Sequence, residues 1–266
     1  MMKSNDDAVL LDKRNGVARI RFNRPRSLNA ISPELAVCFL ERCREIEADT
    51  ECRAVVISGE GRAFMAGGDL NRFYQDFPSA AETARAMIEP MNKALSILVA
   101  LPLPVVASLH GPVAGAGMSV ALACDLAIAA RDVQFSFGYT QIGASPDLGL
   151  SWSLPRVVGL RQAMGIALLG ENLSADRALE LGIVNQVVPE EDLPDVVDAL
   201  MSDLASGPTI AYGQSKRLLR SSYECTLEQQ LSEEFGAFRA CAATDDFVQG
   251  VSAFIEKRKM TKFSGA

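Results

Sequence analysis

The strongest candidates for a catalytic site in this sequence are two segments rich in glycine and other small residues, 63–70 and 111–117. Each follows an apolar run of strand type, 54–57 in the first case and 105–109 in the second. Small residues let a ligand approach the backbone closely, so that peptide N–H groups can point at a developing negative charge. Either segment alone is also typical of a tight turn between a strand and a helix. Together they predict an oxyanion hole, and therefore an enzyme that acts on acyl groups.

The elements that must position these segments follow an α/β pattern. Asn15-Gly16 between two apolar runs predicts a β-hairpin. Ser32-Pro33 predicts the start of a helix, with a capping side chain followed by a proline in the first turn. Strands and helices alternate to about residue 188, and the pattern is helical from Asp192 onward. We therefore expect a core over residues 1–205 and a helical extension over 206–266.

Composition excludes some classes of function. The chain has 266 residues, a net charge of −7 and 48% hydrophobic residues, enough for a substantial core. A nucleic-acid surface normally shows a basic face, so none is expected. The longest apolar run, 97–109, contains two prolines and is too short to cross a membrane. The six cysteines show neither C-x-x-C spacing nor close clustering, which favours reduced thiols in a soluble cytoplasmic protein without a metal site.

Seven stretches of the chain match a known family in the family's own order. They are residues 23–30, 64–70, 111–125, 135–138, 154–159, 178–184 and 252–258. In these stretches the chain resembles the crotonase superfamily, the enoyl-CoA hydratase/isomerase enzymes, over nearly its whole length. The resemblance implies a ββα spiral core with an α-helical C-terminal extension, an acyl-CoA thioester as substrate, and a homotrimer or dimer of trimers. It implies no cofactor, since coenzyme A is part of the substrate, and no metal.

The resemblance also assigns the oxyanion donors and marks a departure from the hydratases. The peptide N–H groups of Gly68 and Ala116 match the family's two donors to the thioester oxygen. Hydratases of the family carry two glutamates, at positions that hold Ser119 and Tyr139 here. This chain therefore lacks the pair of carboxylates with which the hydratases activate water and deliver a proton. Ser119 and Tyr139 are instead expected to shape the acyl pocket.

A carboxylate is found nearby in the segment Ser145-Pro146-Asp147-Leu148-Gly149. By spacing alone this segment is a turn. By resemblance, Asp147 matches the catalytic acidic residue of the family's enoyl-CoA isomerases, including the ring-epoxide isomerase type of phenylacetate breakdown. It also matches the nucleophilic aspartate of the chlorobenzoyl-CoA dehalogenases. A carboxylate buried in this apolar segment gains basicity from desolvation.

The helper residues separate these two interpretations. The dehalogenases use a histidine base and a tryptophan, at positions that align with Ser96 and Tyr139 here. The histidine of this chain, His110, is expected to be structural. Because a proton shuttle needs only one carboxylate, we expect an isomerase that moves a 3-enoyl-CoA double bond to the 2-position through Asp147. A hydratase, dehalogenase or thioesterase on the same scaffold, or a catalytically inactive CoA-binding protein, are the alternatives.

The coenzyme A contacts are expected from the resemblance. The matching positions are Arg26, Ser27, Leu28, Ala30, Ala66, Asp69, Phe254 and Lys257. The last two lie in a C-terminal segment that in the family often caps a CoA bound to a neighbouring subunit. The basic cluster 257–259 with Lys262 suits phosphates. A solvated helix end accounts equally well for the charges of Arg258, Lys259 and Lys262.

Overall fold

A computed structural model of the protein describes residues 7–259 and 262–265. Strands β1 to β9 of this part of the chain are Val9–Arg14, Val17–Phe22, Ala54–Gly59, Val105–Leu109, Pro112–Ala114, Leu126–Ala130, Gln134–Ser136, Asn172–Ser174 and Gln186–Val188. Helices α1 to α11 are Pro33–Glu47, Leu70–Gln75, Ala80–Ala100, Ala116–Ala123, Leu150–Val158, Leu160–Leu169, Ala175–Glu180, Leu193–Ser206, Thr209–Ser221, Leu227–Ala242 and Asp245–Ile255.

The larger sheet has six strands in the order β1-β2-β3-β4-β6-β9. Strands β1 and β2 pair antiparallel through the predicted hairpin, in which Asn15 and Gly16 both have positive φ, 52° and 75°. That geometry is the reason why Asn-Gly is favoured in two-residue hairpin turns. The other pairs in this sheet are parallel. Strand β4 is buried at every position, which explains why it is apolar without alternation.

A second, three-stranded sheet has the order β5-β7-β8. Strand β4 of the large sheet is followed by β5 of the small sheet and then by α4, and β6 is followed by β7 and, after a loop, by α5. This repeated strand–strand–helix path is the expected ββα spiral, so the predicted fold class is confirmed. Helices α4 and α5 pack against each other, which brings the segments that precede them together.

Helix α1 begins as the sequence predicts. The Ser32 hydroxyl accepts a hydrogen bond from the Leu35 N–H at 3.3 Å, and Pro33 occupies the first turn. Ser32 thus satisfies an amide that has no partner inside the helix. The apolar face of α1 packs against α3, which forms part of the site described below.

The C-terminal helices follow the last strand. Helix α8 packs on β3 and β6, and residues 207–208 separate it from α9. Asp125, beside the start of β6, forms ion pairs with Lys216 and Arg220 of α9, each at 2.8 Å. These contacts hold α9 against the core, while the division at residues 205 and 206 stays a prediction.

Two further findings concern membrane-spanning helices and the state of the cysteines. In the part of the chain that the structure describes, no helix is both long enough and apolar enough to cross a membrane. All six cysteines are unpaired thiols.

Candidate active site

The two glycine-rich segments lie side by side in the structure. Met65 and Val113 form an isolated parallel bridge between them. The Ala114 N–H donates a hydrogen bond to the Met65 carbonyl oxygen at 3.0 Å. A side chain at Gly117 would clash with that same oxygen, so glycine permits the close approach. The segments that the sequence assigns to one site therefore meet.

Where these segments meet, two peptide N–H groups lack a hydrogen-bond acceptor among the described residues. The Ile31 N–H donates a hydrogen bond to the Gly67 carbonyl oxygen at 2.8 Å, and the Ile31 carbonyl oxygen accepts one from the Asp69 N–H at 2.9 Å. The N–H of Gly68, between these two residues, takes no part in this pairing. Ala116 is the first residue of α4, where an amide has no acceptor within its own helix. Among the described residues, neither the Gly68 nor the Ala116 N–H donates a hydrogen bond. Both residues line one cavity, as an oxyanion hole requires.

The cavity has a volume of about 610 Å³ and mainly apolar walls. Apolar side chains come from α2, α3 and the loop before α5: Leu70, Phe73, Ala84, Met87, Ile88, Met91, Ile142, Ala144 and Leu148. On α3 they follow the spacing i, i+3, i+4, i+7 of one helix face, a signal that could have been found in the sequence. Such walls suit the acyl part of a thioester.

Asp147 contributes the carboxylate of this cavity. It lies in a turn before α5, in which Leu148 and Gly149 have positive φ of 50° and 79°. The Asp147 carbonyl oxygen accepts a hydrogen bond from the Leu150 N–H at 3.0 Å, which fixes the turn to the helix. The side chain is half-buried, and this burial raises the pKa of Asp147 despite a hydrogen bond from Tyr139 that favours the ionised form. A carboxylate with a raised pKa is a better base than an exposed one.

Tyr139 is the direct partner of Asp147. Its hydroxyl donates a hydrogen bond to Asp147 Oδ1. Burial, followed by the neighbouring carboxylate, raises the pKa of Tyr139, so the phenol stays protonated and donates. The Ser119 hydroxyl lies 3.5 Å from the Tyr139 hydroxyl and donates to the Asp147 carbonyl oxygen at 3.2 Å. The sequence predicts Ser119 and Tyr139 as pocket residues: Tyr139 lines the cavity, whereas Ser119 is fully buried and is not one of the lining residues. The sequence does not reveal that both contact Asp147.

The two hydratase positions, Ser119 and Tyr139, therefore belong to one hydrogen-bonded group with Asp147. In the described chain, Asp147 is the one carboxylate among the residues that line the cavity. Nothing in this arrangement resembles a pair of carboxylates that share one water molecule.

Comparisons with known proteins give the family. The family model described as enoyl-CoA hydratase/isomerase matches residues 12–265. The chain belongs to this enzyme family. Similar proteins include the 1,2-epoxyphenylacetyl-CoA isomerase of Escherichia coli, 38% identical over 97% of this chain and 98% of that protein. The short-chain-enoyl-CoA hydratase of Clostridium acetobutylicum is 32% identical over 96% and 97% of the two chains.

A solved structure gives the same result for the fold. The crystal structure of an enoyl-CoA hydratase from a Polaromonas species has a TM-score of 0.89 and 32% identity, covering 95% of this chain and 98% of that chain. The crotonase resemblance of the sequence is thereby confirmed. Members of the enoyl-CoA hydratase/isomerase family act on acyl-CoA thioesters, but relatives of this chain include both isomerases and hydratases.

The positions that match the family's CoA contacts near the N-terminus lie partly at the cavity. Ala66 lines it, and the Ala66 N–H donates to the Leu28 carbonyl oxygen at 3.0 Å. Arg26 and Ser27 lie exposed on a short 3-10 turn, and Ala30 is buried behind it. The turn and the first glycine-rich segment are thus adjacent. Contact of these residues with coenzyme A stays a prediction.

Asp69 has a partner within the chain that the sequence did not indicate. It is 8% exposed and pairs with Arg24 at 2.9 Å, and Arg24 also donates to the Ala30 carbonyl oxygen. This pair ties the first glycine-rich segment to the turn at residues 25–27. The structure therefore gives Asp69 a bracing role, and a CoA contact by Asp69 stays a prediction.

Phe254 and Lys257 lie away from the cavity walls. Phe254 of α11 is 84% exposed, and Lys257 follows the end of that helix with a positive φ of 57°. Neither residue contributes to the cavity of its own chain. Their expected contact with a CoA on a neighbouring subunit stays a prediction.

The two remaining candidates have local partners. The Ser96 hydroxyl donates to the Asn92 carbonyl oxygen at 2.9 Å within α3. His110 Nε2 lies 2.9 Å from the Gly61 carbonyl oxygen. Neither side chain lines the cavity. Among the described residues, no cluster of three or more histidine, cysteine or acidic side chains is arranged to hold a metal ion.

Proposed function

We propose that this protein is an acyl-CoA isomerase that moves the double bond of a 3-enoyl-CoA to the 2-position. The observation that carries the proposal is an apolar cavity in which, among the described residues, Asp147 is the single carboxylate and two peptide N–H groups have no acceptor. In this reaction the carboxylate transfers the proton and the N–H groups stabilise the charge on the thioester oxygen, so no second carboxylate is required.

The reaction begins with removal of a proton from C2. The Asp147 carboxylate takes that proton, and the C–H electrons move toward the thioester oxygen to give a dienolate. The N–H groups of Gly68 and Ala116 stabilise the charge on this oxygen, which is larger in the transition state than in the substrate. The Asp147 acid then returns its proton to C4, and the electrons of the dienolate form the C2–C3 double bond and the thioester carbonyl.

The electrostatics of the cavity support Asp147 as the base. Burial raises its pKa, which brings the acid and base forms closer in energy near neutral pH. Apolar walls also limit the water that can reach the reacting carbons. No cofactor or metal takes part in these steps, since the thioester itself stabilises the carbanion.

The alternatives each require a group in another arrangement. Hydration in this family uses two carboxylates, and their positions hold Ser119 and Tyr139. Dehalogenation needs a base that activates water, and Ser96 at that position donates within its own helix. A thioesterase would likewise need an activated water. An inactive CoA-binding protein has no use for a carboxylate directed at bound thioester.

A second candidate is isomerisation of a ring epoxide. It is favoured by the 38% identity over nearly the full length to a protein named 1,2-epoxyphenylacetyl-CoA isomerase. The apolar side chains of α2 and α3 would accept an aromatic ring as well as an alkenyl chain. Both candidates are isomerisations of an acyl-CoA, and both keep the oxyanion donors.

The proposal includes an oligomer in the cytoplasm. Large apolar side chains are exposed on α6, α10 and α11, among them Leu169 at 83%, Phe235 at 65% and Phe254 at 84%. Apolar surface of this kind is typical of protein contacts. A homotrimer or dimer of trimers would cover it and would bring Phe254 and Lys257 toward a neighbouring subunit.

The proposal is tested by turnover of 3-hexenoyl-CoA and of 1,2-epoxyphenylacetyl-CoA by the wild-type protein. We expect the absorbance of the conjugated thioester to rise with 3-hexenoyl-CoA, and chromatography then identifies 2-hexenoyl-CoA as the product. Binding of both thioesters without conversion of either would favour the inactive CoA-binding protein. Conversion of the epoxide alone would select the second candidate.

A further inference from the structure

The hydroxyl of Tyr139 is directed at the base and is held there by its surroundings. Tyr139 is 8% exposed, and its ring packs edge-on against Phe137 with the centroids 5.3 Å apart. The ring also lies beside Gly115, where a side-chain carbon would come within 3.8 Å of it. This packing leaves the phenol little freedom to turn away from Asp147 Oδ1.

Tyr139 is also the one titratable side chain that shares the cavity walls with Asp147 in the described chain. In this same part of the chain, no charged group from another wall faces the carboxylate, so the hydrogen bond from Tyr139 is the main polar contact that a side chain makes with it. Within the described residues, Oδ1 is the oxygen that accepts the hydrogen bond from the Tyr139 hydroxyl, and a main-chain hydrogen bond at Asp147 also favours the ionised carboxylate. The two oxygens of this carboxylate are therefore inequivalent.

We propose that Tyr139 is a positioning residue that holds Asp147 Oδ1, so that Oδ2 alone takes the proton from C2 and returns it to C4. The proposal rests on the isomerase function proposed above and assigns Tyr139 a role within it. Ser119 assists by fixing the main chain of Asp147 through its hydrogen bond to the carbonyl oxygen.

The proton balance explains why one oxygen carries the proton. In the first step the C2–H bond breaks and an O–H bond forms at Oδ2, while the electron pair moves to the thioester oxygen. Tyr139 remains a donor to Oδ1, which then has carbonyl character. In the second step the bond from Oδ2 to the proton breaks and the C4–H bond forms. The phenol keeps its own proton throughout, so no additional acid or base is needed.

The test uses Tyr139→Phe, which removes the hydroxyl and keeps the ring. We expect kcat for 3-hexenoyl-CoA to fall about ten- to a hundredfold, as for loss of a hydrogen bond to a charged group, with KM little changed. The bond from Tyr139 favours ionised Asp147, so its removal raises the pKa of Asp147. The acidic limb of the pH profile therefore moves to higher pH. The matched control Tyr223→Phe removes an exposed phenol outside the walls of the cavity, and its acidic limb should stay in place.

A second measurement does not depend on the reaction. Carbon-13 NMR of protein labelled at the aspartate carboxyl carbon gives the pKa of Asp147 directly, and Asp147→Asn identifies its resonance. We expect a higher pKa in Tyr139→Phe than in the wild type. An unchanged pKa with an unchanged acidic limb would overturn the role of Tyr139 and leave the isomerase intact. If the pKa of Asp147 rises in Tyr139→Phe but the wild-type protein does not isomerise 3-hexenoyl-CoA, the contact between Tyr139 and Asp147 is supported and the proposed reaction is refuted.

Discussion

Replacing Asp147 by asparagine is expected to lower isomerisation of 3-hexenoyl-CoA by about a thousandfold or more. The amide keeps the shape of the side chain but cannot accept a proton from C2, and general base catalysis of this kind contributes about 10²- to 10⁴-fold. Binding of a saturated acyl-CoA should change by less than about tenfold, because the thioester contacts are made by peptide groups elsewhere. Steady-state kinetics and calorimetric titration measure the two effects separately.

The matched control for this variant is Asp132→Asn. Asp132 is an exposed carboxylate that lies outside the walls of the cavity, so its replacement changes the net charge equally. We expect near-normal turnover from the control. If Asp147→Asn also retained near-normal turnover, Asp147 would be excluded from the mechanism.

Removing a proposed oxyanion donor is expected to have the second largest effect. Gly68→Pro lacks the N–H at residue 68, and loss of one such donor costs about 10²- to 10³-fold in rate. Gly68→Ala is the matched control because it keeps the N–H. A Cβ at this position meets no atom within 4 Å, and Gly68 is not among the residues with positive φ. The alanine variant should therefore fold normally and keep most of its activity.

A proline at residue 68 also restricts the local backbone, so a variant at the other donor is informative. Ala116 is the first residue of α4, a position that favours proline because its amide has no helical acceptor. Ala116→Pro deletes the second N–H at small cost to the helix. Thermal unfolding identifies which variants are folded. Full activity in a folded Gly68→Pro or Ala116→Pro protein would exclude that donor.

The sequence predicts the parts of the site that depend on local backbone chemistry. The main chains of the two segments approach closely at Gly67 and Gly117, where a side chain would meet main-chain atoms. A need for glycine at such positions can be recognised in the sequence. The hairpin at Asn15-Gly16 and the cap at Ser32 are likewise local signals, and the structure confirms both. Such features need no knowledge of the distant parts of the chain.

Contacts across a loop could not be predicted in the same way. Tyr139 and Asp147 are joined by a loop in which Gly143 has a positive φ, and Leu148, directly after Asp147, also has one. The path of this loop brings the two side chains together. The pair between Arg24 and Asp69 depends on two loops that meet only in the folded protein. Both contacts involve ordinary residue types without a distinctive spacing, so the sequence reveals the participants but not the pairing.

The central claim, a single-carboxylate isomerase as opposed to a hydratase, is tested most directly by one measurement on the wild-type protein. Crotonyl-CoA and 3-hexenoyl-CoA are incubated in parallel at equal concentration, and the absorbance of the conjugated thioester is followed. We expect conjugated product to form from 3-hexenoyl-CoA at least about a hundredfold faster than crotonyl-CoA is hydrated, because Ser119 and Tyr139 supply no carboxylate pair. Rapid loss of the crotonyl signal without conversion of 3-hexenoyl-CoA would contradict the isomerase and indicate a hydratase.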